Sequence, residues 1–227
     1  FSLTSRGGVN GLTPRHIRDI VAHKALNVYP ELAQLCGRIA TGALPPAACP
    51  YFYGARSAAL VKDASGAIRP LACGDVLRRL TAKILSSRSR AEARRVFLPL
   101  RQFGVSAPAG AETVVHAVRR LVRHYASSRD VERICLKLDI KNAFNSLHRS
   151  ALLSAIHELF PALLPYFEAA YGTPSTLVFG DFALRSSQGT QQGDPLAPLG
   201  FAAALARCLR DMRRANPLLP ELEGELF

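Results

Sequence analysis

Residues 175–186 read STLVFGDFALRS, and this stretch limits the folding choices of the chain more than any other. Two five-residue runs, each rich in apolar residues, flank Gly180-Asp181, the Gly-X dipeptide of a two-residue hairpin turn. A second pair of short apolar runs lies in SAALVKDASGAIRPLA, residues 57–72, on either side of Asp63-Ala64-Ser65-Gly66. Antiparallel pairing is therefore expected in two places. RICLKLD, residues 133–139, alternates as a half-buried strand does and predicts one more strand, ending at Asp139.

Helix signals fill the intervals. Thr13-Pro14 reads as N-cap and first helical position, opening a helix over 14–27. A second helix is expected from Pro30 to about Gly42, before the PPAACP loop. Asp75 can cap a helix over 76–95, and a further helix is expected over 111–125. Residues 149–171 read as helix interrupted at Pro161 and Pro165, and Pro195 opens a last helix reaching Arg214. The fold class is thus α+β, with a mostly antiparallel sheet flanked by helices. A chain of 227 residues can bury the core of one large domain or of two subdomains.

The net charge of +12 points to a polyanionic partner. It is unevenly placed. Residues 61–130 carry fourteen Lys and Arg against five acids, a net of +9, whereas residues 131–227 carry nine against ten. Five cysteines (Cys36, Cys49, Cys73, Cys135 and Cys208) lie far apart, with no CxxC pair. They read as reduced, small buried hydrophobes in an intracellular compartment, the nucleus being one candidate. No apolar run is long enough to span a membrane, so no membrane partner is expected. The chain opens on Phe1 and its single methionine is Met212, the pattern expected of an internal piece of a longer protein.

Four stretches could carry chemistry. Asp139, within LKLDIKNAFNS, is a carboxylate at an expected strand end, which suits either a cap or a metal ligand for phosphoryl transfer. Phe144 follows five positions later, as core or as a ring beside a bound nucleotide. SQGTQQGDPLAPLGF, residues 187–201, is a glycine-bearing entry to a helix. Gly193 lets a backbone come close to a ligand, and Asp194 reads as a structural cap. Lys62 and Arg69 face each other across the first hairpin, where two cations can clamp a triphosphate. Finally, residues 77–95 hold Arg78, Arg79, Lys83, Arg88, Arg90, Arg94 and Arg95 against Glu92 alone, too one-sided for an ordinary solvated face. A surface for a phosphate backbone fits that bias.

The order of these pieces resembles reverse transcriptases: Lys62-x6-Arg69-Pro-Leu, then KLDIKNAFN, then QQGDPLAP. The GDPL form and RPLACGDVLRRLTAK look most like non-LTR retrotransposons. The resemblance covers nearly the whole chain and implies a right-hand polymerase, with a fingers-like subdomain over 1–130 and a partial palm over 131–227. It implies an RNA-directed DNA polymerase working with an RNA template, a DNA primer and deoxynucleoside triphosphates. By the same resemblance Asp139 is the first catalytic aspartate, binding both of two magnesium ions, and the carbonyl of Ile140 joins one of them. Phe144 matches the aromatic that excludes a ribose 2′-hydroxyl. Lys62 and Arg69 match the fingers residues that grip the triphosphate. Gln192 and Gly193 match the loop supporting nucleotide and template.

One part of the family pattern is missing. The resemblance calls for a later hairpin bearing Asp-Asp, and no Asp-Asp pair occurs anywhere in the sequence. That hairpin and the thumb are expected beyond LPELEGELF, in a parent protein. Alone, this chain is expected to be an inactive fragment. The alternative is a non-catalytic relic that keeps the fold and its nucleic-acid-binding surface.

Overall fold

The structure is a computed structural model that describes residues 5–23, 27–61, 64, 66–126 and 137–216. Two hairpins build its sheet. Strand β1 (Ala55–Val61) pairs antiparallel with β2 (Ile68–Gly74), in register from Ala55 opposite Gly74 to Val61 opposite Ile68. Strand β3 (Ser175–Phe179) pairs antiparallel with β4 (Phe182–Ser186) across the Gly180-Asp181 turn. A short parallel match of Ala55 and Arg56 with Leu177 and Val178 joins the hairpins, giving the order β2-β1-β3-β4. Both hairpins fall where the alternating apolar runs and turn residues put them. Lys62, Asp63 and Ser65 of the first turn lie outside the described residues.

The helices follow their caps. In α1 (Pro14–Ala22) the Thr13 hydroxyl accepts from the His16 backbone N–H at 3.4 Å, and His16 Nδ1 accepts from the Thr13 N–H at 3.3 Å. This reciprocal pairing satisfies two donors that a helix start leaves open. The helix stops at Ala22, short of the expected end; residues 24–26 are outside the described set. Helix α2 (Tyr29–Ala40) is followed by the single turn α3 (Cys49–Phe52). Asp75 caps α4 (Val76–Arg88), its Oδ1 accepting from the Leu77 N–H at 2.8 Å.

The expected single helix over 76–95 is two. Ser89, buried at φ −81° and ψ 0°, ends α4 and starts α5 (Arg90–Phe97). The second helix then buries Ala93 and Phe97, the latter against Phe160 at 5.4 Å between ring centroids. Helix α6 (Gly110–Tyr125) and the one-turn α7 (Ala143–Ser146) come next. Then α8 (Arg149–Leu159), a 3-10 turn at Pro161–Leu163 and α9 (Leu164–Tyr171) form the broken helix that the two prolines predict. The last helix, α10 (Ala197–Ala215), begins two residues after Pro195, because Asp194 first makes its own turn. The Asp194 carboxylate accepts from the Leu196 N–H at 2.9 Å, and its carbonyl accepts from the Ala197 N–H at 3.1 Å.

One expected strand is not formed where it is described. Residues 133–136 lie outside the described set, and Lys137 to Ile140 are exposed and not in a strand. Leu138 is 81 % exposed. Alternation makes a strand only where another strand accepts its hydrogen bonds, and none of the four described strands pairs with this segment.

The core is helical. Leu152 and Ile156 of α8, Phe167 of α9, Ala203 of α10 and the flanking Phe160 and Leu196 pack with Ile39 of α2, Ala82 of α4 and Phe97 of α5. Burying each large side chain of this set stabilises the fold by about 1.5–3 kcal/mol. No helix among the described residues is long and apolar enough to cross a membrane.

Candidate functional site

The loop between β4 and α10, residues 187–196, bridges two parts of the chain that are remote in sequence. On one side it is fixed to the turn that follows Asp139. The Gly189 N–H donates to the Leu147 carbonyl at 2.9 Å, and the Thr190 N–H donates to the Phe144 carbonyl at 2.7 Å. Gly189 adopts φ +64°, and a Cβ there would lie 2.4 Å from the Phe144 oxygen. On the other side the loop joins β2. The Ala72 N–H donates to the Gln192 carbonyl at 2.8 Å, and a Cβ on Gly193, at φ +127°, would lie 2.4 Å from the Ala72 oxygen. Glycine at these two positions permits both the approach and the backbone angle.

Arg149 holds the same loop from below. Its guanidinium donates to the Gly189 carbonyl at 3.0 Å, the Thr173 carbonyl at 3.2 Å and the Ser186 hydroxyl at 2.9 Å. It also lies over the Tyr171 ring, 5.4 Å from the centroid. Nothing about an Arg at a helix start announces this clamp in the sequence.

A buried ion pair sits beneath the loop. Arg78 Nη2 lies 3.0 Å from Asp194 Oδ2, with side chains 2 % and 1 % exposed. The same guanidinium donates to the Tyr53 carbonyl and to Gln191 Oε1, each at 2.7 Å, and to the Tyr171 hydroxyl at 3.3 Å. Tyr171 in turn donates its hydroxyl proton to Asp194 at 2.6 Å. Burial works against the guanidinium charge, but Tyr166, Asp194 and Tyr171 outweigh it and push its pKa up. Burial, then the Asp194 charge, pushes the Tyr171 phenol well up, so the phenol keeps the proton it donates.

Arg78 is therefore removed from the expected phosphate-binding group. It is an interior residue, and a buried guanidinium already surrounded by acceptors has no free face for a nucleic acid. Arg79, half-buried, donates to the Ser5 hydroxyl at 3.0 Å and to the Arg6 carbonyl at 2.7 Å. Lys83, Arg88, Arg90, Arg94 and Arg95 are exposed along α4 and α5, with Arg94 Nε donating to the Ser106 carbonyl at 2.7 Å.

The residues expected at a nucleotide site are placed as follows. Phe144 is half-buried in α7, its ring 5.3 Å from that of Phe201. Its backbone carries the bond to the loop, so the stretch after Asp139 and the loop at Gln192 and Gly193 are neighbours. Asn142, in the turn between, takes φ +53°, a conformation that asparagine tolerates better than most residues. Gln192 is half-buried and Gly193 exposed. Arg69 is exposed on β2 opposite Leu60, three residues before the Ala72 that anchors the loop. Lys62 lies outside the described residues.

Asp139 and Ile140 are exposed on the segment leading into α7. Among the described residues no group of three or more His, Cys, Asp or Glu side chains could hold a metal ion. One carboxylate and one backbone carbonyl do not make a site for two divalent ions, which take most of their ligands from oxygen. The described residues alone therefore do not fit a two-metal centre.

Residues 61–223 match the family model described as reverse transcriptase (RNA-dependent DNA polymerase). The chain belongs to the reverse transcriptase family. The matched span holds every element from β2 to α10, including the loop, the Asp139 turn and the basic helices. No curated protein matches the chain. As a reverse transcriptase domain it has mixed helix and strand content, with a four-stranded sheet and flanking helices. Reverse transcriptases generally use divalent metals and bind template strands and deoxynucleoside triphosphates.

Proposed function

We propose that this chain is the fingers-like part (1–130) and a partial palm (131–227) of a right-hand RNA-directed DNA polymerase from a non-LTR retroelement. The convergence at the loop carries this reading. Arg69, Phe144, Gln192 and Gly193 come from three distant stretches, and backbone hydrogen bonds from residue 192 to β2 and from residue 190 to α7 draw those stretches together. Arg69, with Lys62, grips the triphosphate; Phe144 excludes the ribose 2′-hydroxyl; Gln192 and Gly193 support the nucleotide and the template. Asp139 and the Ile140 carbonyl contribute to a magnesium site whose other acids come from further chain in the parent protein. The exposed cations of α4 and α5, together with Arg79, face the nucleic-acid backbone. The working location is intracellular, where an RNA template and free thiols coexist.

The test avoids chemistry. The parent polymerase is bound to an RNA template carrying a primer that ends in a dideoxynucleotide, and each deoxynucleoside triphosphate is added in turn. The next complementary nucleotide should slow dissociation of the complex, and mismatched ones should not. Arg69→Ala should remove that effect. If all four nucleotides behave alike with the unaltered protein, the pocket assignment is wrong.

A further inference from the structure

The loop's residues divide into an inner and an outer pair, and one buried cation holds the inner pair. Gln191 and Asp194 point inward: Gln191 Nε2 donates to the Tyr53 carbonyl at 2.9 Å and to Ser175 Oγ at 3.1 Å, and its Oε1 accepts from Arg78. The Asp194 carboxylate accepts from Arg78 and from Tyr171. Between them, Gln192 is half-buried and Gly193 is exposed. An irregular segment has no ladder of hydrogen bonds to set its path. Here the path is set at both flanks by the planar fork of Arg78, which addresses Tyr53, Gln191, Tyr171 and Asp194 together. A buried ion pair adds little stability over apolar side chains of the same volume, and its best-attested use is to select one arrangement. The Arg78 guanidinium also lies over two rings, 5.5 Å from the Tyr53 centroid and 5.8 Å from that of Tyr171, which adds to the contacts that hold it in place.

We infer that Arg78 and Asp194 are positioning residues for the incoming nucleotide, fixing the Gln192–Gly193 backbone from inside while touching no substrate. The inference rests on the polymerase reading above. It goes further in assigning nucleotide handling to two interior residues, one of which stands among the cations of a basic stretch. Arg78 is also separated in function from its neighbours on α4 and α5: disturbing it affects the nucleotide, whereas disturbing the exposed cations affects the nucleic-acid strand.

The experiment compares Arg78→Gln, Asp194→Asn and the double variant. Each single variant leaves one buried charge alone and should lower Tm. The double variant removes both charges and keeps hydrogen-bonding groups, so its Tm should return toward that of the unaltered protein. In the parent polymerase the double variant should still show a KM for deoxynucleoside triphosphate raised about tenfold, with kcat changed less than about threefold, the split expected when ground-state binding is lost. Its affinity for primer–template should be unchanged. In the 227-residue chain the Ala72 amide, which donates to the Gln192 carbonyl, should exchange hydrogen faster in the double variant than in the unaltered protein. A double variant with unaltered KM, or one whose KM, kcat and primer–template affinity all worsen in step with Tm, overturns the positioning role. An unaltered parent protein that extends no primer would instead defeat the polymerase reading; the amide-exchange comparison would then still decide whether the pair holds the loop.

Discussion

At Phe144 one residue carries two assignments that a single substitution can separate. Its carbonyl anchors Thr190, a bond that any residue at 144 can make, and its ring packs on Phe201. Phe144→Val should cost about 1–3 kcal/mol from the lost ring packing, because the site is only half-buried. In the polymerase it should also raise ribonucleotide incorporation, because the ring no longer fills the space of a 2′-hydroxyl, and leave deoxynucleotide use largely intact, since no hydrogen bond is removed. Equal losses with both substrates would make Phe144 packing alone. Gly193 gives a second test. An alanine there meets both a positive φ and the Ala72 oxygen, and such strain costs about 1–3 kcal/mol. Gly104→Ala, where a Cβ would meet nothing within 4 Å, is the control and should leave Tm nearly unchanged. Tyr53 supplies a pH test. Burial pushes its phenol from 10.0 up to about 12, so the folded state holds a proton that the unfolded state releases. Stability from this group is complete below pH 10 and is lost as pH rises from 10 to about 12. Thermal unfolding followed across that window should show a shallower alkaline decline in Tyr53→Phe. An identical decline would exclude Tyr53 as a source.

Among the elements, the hairpins, the capped helices and the proline-broken helix were legible because their signals are local. Gly180-Asp181 sets its own turn, and Asp75 caps α4 through its own side chain. Other features were not legible, each because it depends on remote residues. The break at Ser89 turns α5 so that Phe97 meets Phe160, far along the chain. The expected strand at 133–139 needs a neighbour, and residues 137–139 have none among the described strands. Arg78 has the charge of its neighbours but is buried by Asp194, more than a hundred positions on; its place on the helix face next to Thr81 and Ala82, both buried, was the available hint. The candidate site was legible as a set of motifs, while the Arg149 clamp under it was not. The exposed cations of α4 and α5 carry a prediction of their own. Replacing Arg88, Arg90, Arg94 and Arg95 by Gln should flatten the dependence of log affinity on log salt by about 0.7–0.9 for each phosphate no longer neutralised. An unchanged slope in a filter-binding titration would take these helices out of the interface.

Across the whole molecule, an exposed basic surface, the Gln192–Gly193 loop on a sheet edge and the exposed Asp139 carboxylate lie in one reverse transcriptase domain. Its net charge of +12 suits a polyanionic partner, and its described acids do not suffice for two metal ions. Primer extension on an RNA template with magnesium tests this most directly, comparing the 227-residue chain, the parent protein and the parent protein with Asp139→Asn. Extension is expected from the parent protein alone, with the Asp139→Asn protein below about one per cent of it, the loss typical of removing a group that stabilises transition-state charge. Extension by the 227-residue chain, or by the Asp139→Asn parent at the unaltered rate, would contradict it.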